Sequence, residues 1–170
     1  MAVYCEPRPD LEVFDEIGDA KRILLVGCPS CANVSYSIHK ELPKELPIYK
    51  FTLTGIKAVY TKHEIDRMAD LFAQKGLHVD SWLPNAPAGI CVLDEGARRN
   101  LFNRCRDINT IIALCCDSGT KNVEDILPGK KVVGAMNAKG LLTAVTKNKM
   151  KIWKSFIDKE TLYVKKFVFE

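Results

Sequence analysis

The sequence predicts a single α/β domain built around a mainly parallel sheet. The chain has 170 residues, the size of one domain, and 47% of them are hydrophobic, which is enough for a buried core. Charged residues make up 27%, a composition that excludes a disordered chain. Apolar runs typical of buried strands alternate along the chain with segments of helical periodicity. This alternation favours parallel strands that are joined by helices.

The first part of the chain contains two predicted helices and two predicted strands. Residues 10–21 place their apolar side chains on one side, as a short amphipathic helix does. Residues 22–27 form a continuous apolar run that ends in glycine, typical of a strand buried on both faces of a parallel sheet. A helix is predicted over residues 31–40, since two prolines follow it, and residues 48–54 alternate as a strand does.

The middle of the chain continues the alternation. Residues 63–75 repeat apolar side chains at helical spacing, and Gly76 follows them as a typical helix terminator. Residues 77–83 predict a strand and residues 93–104 a helix. Residues 109–115 form a second strongly apolar strand candidate.

A short helix over residues 119–127 and a strand over residues 131–136 complete the pattern. We therefore expect a Rossmann- or flavodoxin-like sheet within a cysteine-containing domain over residues 1–145. Residues 146–170 differ, because lysines there interrupt two apolar segments. They predict a lysine-rich C-terminal β-hairpin that extends the same domain.

The net charge of +4 is concentrated in this extension, which holds seven lysines against Asp158, Glu160 and Glu170. The rest of the chain is neutral and has no arginine-rich stripe with interleaved aromatics, so no nucleic-acid binding is expected. No apolar run approaches the roughly 20 residues of a membrane span, and no signal-peptide pattern is present. We expect a cytoplasmic protein without a membrane association. A homodimer through the hairpin is a further expectation.

The seven cysteines are the strongest functional signal. In a reducing compartment such a number indicates metal binding or redox chemistry before structural disulfides. Cys28 and Cys31 form a C-x-x-C motif after the first apolar strand, Cys91 lies in a loop before a helix, and Cys116 follows the second apolar strand. Because ligands of parallel sheets bind beyond the carboxyl ends of the strands, we expect these loops to converge.

A C-x-x-C motif at the start of a helix has two chemical uses. The helix amides stabilise thiolates, which can hold a metal or act as a redox dithiol. Two further thiols would complete the ligand set of tetrahedral zinc or of a [4Fe–4S] cluster. Cys116 is preferred to Cys115 as a ligand, because Cys115 ends the strand and is expected in the core. Cys5, in an N-terminus predicted to be irregular, and Cys105, at a helix end, are expected to be incidental.

The order of these motifs resembles the methylenetetrahydrofolate reductase C-terminal domain family, which includes the small iron–sulfur subunit of the acetogen-type reductase. The resemblance covers roughly residues 18–142 and rests on the segments ILLVGCPSC, GIC and IIALCCDSGTKNVEDILPGKKVVGAMN. It implies that one [4Fe–4S] cluster, or alternatively zinc, is held by Cys28, Cys31, Cys91 and Cys116. Gly27 and Gly119, which match glycines of the family's pattern, are the expected cofactor-binding glycines.

The resemblance also implies a function. The chain would be a non-catalytic accessory or electron-transfer protein of one-carbon metabolism. Its partner would be a larger flavin-containing reductase subunit or a protein of a methyltransferase system. The chain departs from the family at Ser35, where a further cysteine is often found, and after Cys116, where the family's second cysteine-rich segment is missing. One metal site is therefore expected, rather than a chain of electron-transfer centres.

Two other interpretations remain open. Cys28-Pro29-Ser30-Cys31 matches the C-P-x-C form of glutaredoxin-like dithiol oxidoreductases, although that function leaves the other loop cysteines unexplained. Alternatively, the chain is a non-catalytic module whose cleft holds a folate, flavin or corrinoid, and the cysteines only line the crevice.

Overall fold

The computed structural model describes residues 2–39, 47–86, 88–149 and 154–168. Within these residues the chain forms eleven strands and five α-helices. In chain order they are β1 (Ala2–Pro7), α1 (Asp10–Ile17), β2 (Arg22–Gly27), α2 (Cys31–His39), β3 (Tyr49–Thr52), β4 (Gly55–Ala58), α3 (Tyr60–Gln74), β5 (His78–Trp82), α4 (Glu95–Arg104), β6 (Thr110–Leu114), α5 (Asp117–Ile126), β7 (Lys131–Gly134), β8 (Met136–Thr143), β9 (Thr146–Lys149), β10 (Lys154–Ile157) and β11 (Tyr163–Lys166). Short 3₁₀ turns lie at Ile90–Val92 and Lys159–Thr161.

The centre of the fold is a parallel four-stranded sheet in the order β5-β2-β6-β7. β2 pairs in parallel with β5 on one side and with β6 on the other. Every residue of β6 and all but the first of β2 are buried, because both strands are internal and both of their faces are covered. The two strongly apolar segments of the sequence are therefore confirmed as the central strands.

Two further sheets are antiparallel, with the orders β1-β8-β11 and β4-β3-β10-β9. The expectation of a mainly parallel sheet is thus right for one sheet of the three described, and the fold as a whole is mixed α/β. The local cause is clear at β3 and β4, which are joined by a two-residue turn before Gly55, whose φ is 123°. So short a connection permits only antiparallel pairing.

A C-terminal hairpin is present and is formed by β9 and β10, with an ion pair of 2.7 Å between Lys147 and Asp158. β10 also pairs with β3, whereas β11 pairs with β8. The C-terminal segment therefore supplies strands to both antiparallel sheets. Residues 40, 150–153 and 169–170 of the predicted helix and hairpin lie outside the described residues.

The N-terminus is a strand rather than an irregular segment, which corrects the expectation from the sequence. β1 pairs antiparallel with β8 from Ala2↔Leu142 to Pro7↔Met136, with a register shift between Tyr4 and Cys5. Local sequence does not reveal β1, because its partner β8 lies near the other end of the chain. None of the described helices is long and apolar enough to cross a membrane.

Candidate functional site

The strands that carry the predicted site lie side by side in the parallel sheet. The chain leaves β2 toward β5 on one side and leaves β6 toward β7 on the other, so the connections of these two neighbouring strands run in opposite directions. A reversal of this kind opens a crevice at the carboxyl ends of the two strands that flank it. Cys28 follows β2 directly, and its N–H donates to the carbonyl of Leu114, the last residue of β6, at 3.0 Å. The ends of β2 and β6 are thus joined at the crevice.

The two cysteines of the C-x-x-C motif have different surroundings. Cys28 is 2% exposed, and burial raises the pKa of its thiol, although backbone hydrogen bonds from Ile90, Ser30 and Ala32 act to lower it. Cys31 is the first residue of α2 and is half-buried. Its Sγ accepts a hydrogen bond of 3.3 Å from the N–H of Val3 on β1.

Cys91 lies in the 3₁₀ turn Ile90–Val92 and is exposed. Asn122 of α5 holds this turn through a bond of 2.6 Å from its Nδ2 to the carbonyl of Ile90. Gly89 precedes the turn, and a Cβ built there would lie 3.2 Å from Cys91 Sγ and 3.8 Å from the Cβ of Ser30. The turn therefore lies against both the C-x-x-C loop and α5.

Cys116 immediately precedes α5 and is 3% exposed. Burial is the largest influence on the pKa of its thiol and raises it, whereas the N–H of Gly119 lowers it. The thiolates of Cys31, Cys28 and Cys91 raise this pKa further. The loops that carry the four predicted thiols lie next to one another, since the turn of Cys91 lies against Ser30 and is bonded to Asn122 of α5.

The two predicted cofactor-binding glycines both lie at close contacts within the protein. A Cβ on Gly27 would lie 2.6 Å from Ile65 Cδ1 and 2.7 Å from Thr61 Cγ2, both on α3. A Cβ on Gly119 would lie 2.9 Å from the Cβ of Cys115. Packing by itself thus requires a glycine at each place, and contact with a cofactor stays a prediction.

Cys5 is a fifth thiol at this site, and the sequence contains no local signal that could have placed it there. It lies on β1 with 0% exposure, and burial raises the pKa of its thiol to about 12. The thiolates of Cys116, Cys31 and Cys28 contribute to that rise, and the hydrogen bonds from β1 to Cys31 and Ser35 place this strand beside the helix of the C-x-x-C motif. The pairing of β1 with β8, and not any local pattern, brings Cys5 to the crevice.

One face of α2 covers the edge of β1 with hydrogen bonds. The N–H of Cys5 donates to Ser35 Oγ at 3.0 Å, and Ser35 Oγ donates to the carbonyl of Val3 at 3.3 Å. The carbonyl of Cys5 also lies 3.0 Å from His39 Nε2. With Cys31 these side chains are spaced by four residues, which puts them on the same face of a helix. Ser35, at the position where the resembling family often has cysteine, bridges two backbone groups here.

The other two cysteines differ in position. Cys115 is buried at the end of β6, as predicted, and its Sγ lies 3.7 Å from Thr120 Oγ1. Cys105 caps the end of α4, and burial raises the pKa of its thiol to about 11, with only Lys130 acting to lower it. The pKa of the Cys105 thiol is therefore set by burial and by Lys130, and the other cysteines do not contribute to it.

All seven thiols are free. Thiolates are the ligands that zinc and iron–sulfur clusters prefer, so the chemistry of the donor set fits the predicted group. In the described part of the chain, no three His, Cys, Asp or Glu side chains are placed to hold a single metal ion. No protein-family model, curated protein or solved structure matches this chain.

Proposed function

We propose that the chain is an accessory protein that binds one iron–sulfur cluster, or alternatively zinc, and serves an oxidoreductase of one-carbon metabolism. The observation that carries this proposal is the convergence of three loops at the reversal point of the parallel sheet. These loops supply the proposed ligands Cys28, Cys31, Cys91 and Cys116. Numbered in chain order, the strands of this sheet have the order 2-1-3-4, which begins the 2-1-3-4-5 order of flavodoxin-like sheets. The order supports a flavodoxin-like origin of the sheet.

The backbone around the thiols is suited to negative charge. Amides of Ile90, Ser30 and Ala32 act on Cys28, that of Val3 on Cys31, and that of Gly119 on Cys116. Such N–H groups stabilise thiolates and are among the factors that set the potential of a cluster. A bound cluster would supply one-electron transfer, whereas zinc would hold the loops together.

Among the four proposed ligands, Cys91 is the most exposed and Cys31 is half-buried. Cys91 is exposed, and the neighbouring Val92 is 70% exposed, whereas Cys28 and Cys116 are buried. This turn therefore gives a partner protein direct access to one of the proposed metal ligands. We propose this turn as the contact for a larger flavin-containing reductase subunit or, alternatively, for a protein of a methyltransferase system.

The dithiol alternative is less well supported by the geometry. An attacking cysteine has to be accessible and needs a lowered pKa, because the thiolate is the nucleophile. Cys28 is buried and burial raises the pKa of its thiol. The metal proposal also gives Cys91 and Cys116 a role, which a Cys28–Cys31 disulfide does not.

The test is purification without oxygen, followed by reconstitution with ferrous iron and sulfide, and measurement of iron, zinc, sulfide and visible absorption. We expect about four irons per chain, or one zinc. Serine substitution of each proposed ligand should abolish stoichiometric binding, whereas Cys105→Ser, a buried cysteine outside the cluster, should keep it. The same sample tests the expected homodimer by analytical ultracentrifugation.

Two results would overturn the proposal. The first is a reconstituted protein without metal that reversibly forms a Cys28–Cys31 disulfide. The second is metal binding that survives Cys91→Ser and Cys116→Ser unchanged, since the proposed site needs both thiols as ligands.

A further inference from the structure

A cavity of about 420 Å³ lies beside β5, the edge strand of the parallel sheet. Its walls come from the ends of β4, β5 and α4 and from the first turns of α3. Its volume falls within the range of about 300–1,000 Å³ that is usual for small-molecule sites. The side chains that matter for recognition are Lys57, Lys62, Ile65, Trp82, Leu83 and Arg104.

The apolar part of the wall suits a planar ring. Trp82 is half-buried at the end of β5, and Ile65 and Leu83 also line the cavity. An indole in a cavity wall stacks with aromatic rings, and the aliphatic side chains exclude water around such a contact. This part of the cavity is therefore suited to an aromatic group.

The polar part of the wall is cationic, and no carboxylate is among the described residues that line it. Lys57 donates to the amide oxygen of Asn85 at 2.7 Å, and Arg104 donates to that of Asn100 at 2.9 Å. These acceptors are neutral, and within the described chain neither cation forms an ion pair. The cavity thus has unneutralised positive charge that favours an anion.

A smaller cavity of about 150 Å³ continues the cationic wall. It shares Lys57 and Lys62 with the larger cavity and adds Lys50, and its lining also includes His63 and the carboxylate of Asp66. Lys62 is paired with Asp66 at 2.5 Å, but both side chains are more than half exposed, so an incoming anion competes at low cost. The continuation gives room for a ligand with more than one anionic group.

We infer that the chain binds a small anionic ligand with a planar aromatic ring, whose ring lies on Trp82 and whose phosphate or carboxylate groups contact Lys57, Lys62 and Arg104. Ile65 and Leu83 also contact the position of Gly27, one residue before Cys28. A ligand bound here therefore lies next to the cysteine cluster. The inference goes beyond the proposed function and does not require a metal.

The test measures binding of two probes, adenosine 5′-triphosphate for the phosphate class and benzoyl-triglutamate for the carboxylate class. Titrations are followed by calorimetry and by tryptophan fluorescence in a Trp153→Phe variant, in which Trp82 is the sole tryptophan. We expect at least one probe to bind and to quench Trp82. Its binding should be at least tenfold tighter than that of adenosine, benzamide or inorganic triphosphate alone, and should weaken with salt.

Substitutions of the lining residues test whether the probe binds in this cavity. Lys57→Gln and Arg104→Gln should each weaken binding about tenfold, because each removes one charge-assisted contact. Lys139→Gln, an exposed lysine on β8, should leave it unchanged. Trp82→Leu should abolish the preference for an aromatic probe. If the Trp82→Leu protein does not fold, Lys57→Gln and Arg104→Gln still test the site, because both side chains are exposed.

The inference is overturned if neither probe binds at millimolar concentration, or if Lys139→Gln weakens binding as much as Lys57→Gln does. Binding should persist in the Cys28→Ser and Cys116→Ser variants. In the unsubstituted chain, probe binding without stoichiometric metal would refute the proposed function alone, whereas stoichiometric metal without probe binding would refute this inference alone.

Discussion

Ser35→Ala tests how the N-terminal strand is held against the cysteine site. The Ser35 hydroxyl is 0% exposed, accepts the N–H of Cys5 at 3.0 Å and donates to the carbonyl of Val3 at 3.3 Å. Both backbone groups belong to β1, which is an edge strand of its sheet. Alanine keeps the helix but removes the partner of the buried Cys5 N–H and one of two contacts of the partly buried Val3 carbonyl, which also lies 3.8 Å from Cys5 Sγ.

The magnitude follows from the two lost bonds. A buried polar group left without a partner costs about 1–3 kcal/mol. The Cys5 N–H loses a well-formed bond, whereas the Val3 carbonyl loses a longer one and contributes less. We therefore expect Ser35→Ala to lower the free energy of unfolding by about 2 kcal/mol, which is about 30-fold in the folding equilibrium.

The assay is urea denaturation followed by circular dichroism, with Ser37→Ala as the matched control. Ser37 is also buried in α2, but its hydroxyl donates to the carbonyl of Val34 within the same helix, at 2.6 Å. Because alanine has the higher helix propensity, Ser37→Ala should change stability by less than about 0.5 kcal/mol. Hydrogen exchange should also show faster exchange of the Cys5 amide in Ser35→Ala.

Equal losses of unfolding free energy in Ser35→Ala and Ser37→Ala would refute this reasoning. The two hydrogen bonds from Ser35 to β1 would then stabilise the protein no more than the bond of Ser37 within its own helix does. A Ser35→Ala protein as stable as the unsubstituted chain would refute it as well.

Three further predictions concern packing, pH and charge. Gly119→Ala should lower the melting temperature and cost about 1–3 kcal/mol, because its Cβ would lie 2.9 Å from the Cβ of Cys115. The free energy of unfolding should fall as pH rises from 9.0 to about 11. Burial raises the pKa of the Cys105 thiol over that range, so the thiol ionises in the unfolded chain before it does in the folded one. In Cys105→Ala this loss of stability with pH should be smaller. Arg67→Met should cost about 1–3 kcal/mol in the same urea assay, because Arg67 donates two bonds to Glu64, which is 4% exposed.

Matched variants separate these causes from general damage. Gly134→Ala should be mild, because the nearest atom to its Cβ would be Thr120 Oγ1 at an ordinary 3.4 Å. Arg22→Met breaks an exposed pair with Asp80 and should change stability by less than about 1 kcal/mol. Similar effects of each variant and its control would contradict the stated cause, as would a Cys105→Ala protein with an unchanged pH profile.

Local pattern predicted the elements that are buried on all sides. β2 and β6 are continuous apolar runs, and such runs have few folded forms other than internal strands of a parallel sheet. The position of Cys28 after β2, and of Cys116 after β6, followed directly from those runs. The N-terminal strand was harder to predict, because β1 is half-exposed at both ends and pairs with β8, which lies far along the chain.

The amino-acid sequence alone determined the central strands, the helices between them and the three loops that carry the proposed ligands. These elements can be predicted because a strand buried on both faces and an amphipathic helix each produce a recognisable pattern of apolar residues along the sequence. The fifth thiol at Cys5, the bridge at Ser35 and the cationic cavity beside Trp82 arise only in the folded chain. Each joins segments that are far apart in sequence, and the free energy that brings them together comes from long-range pairing and burial rather than from any local preference.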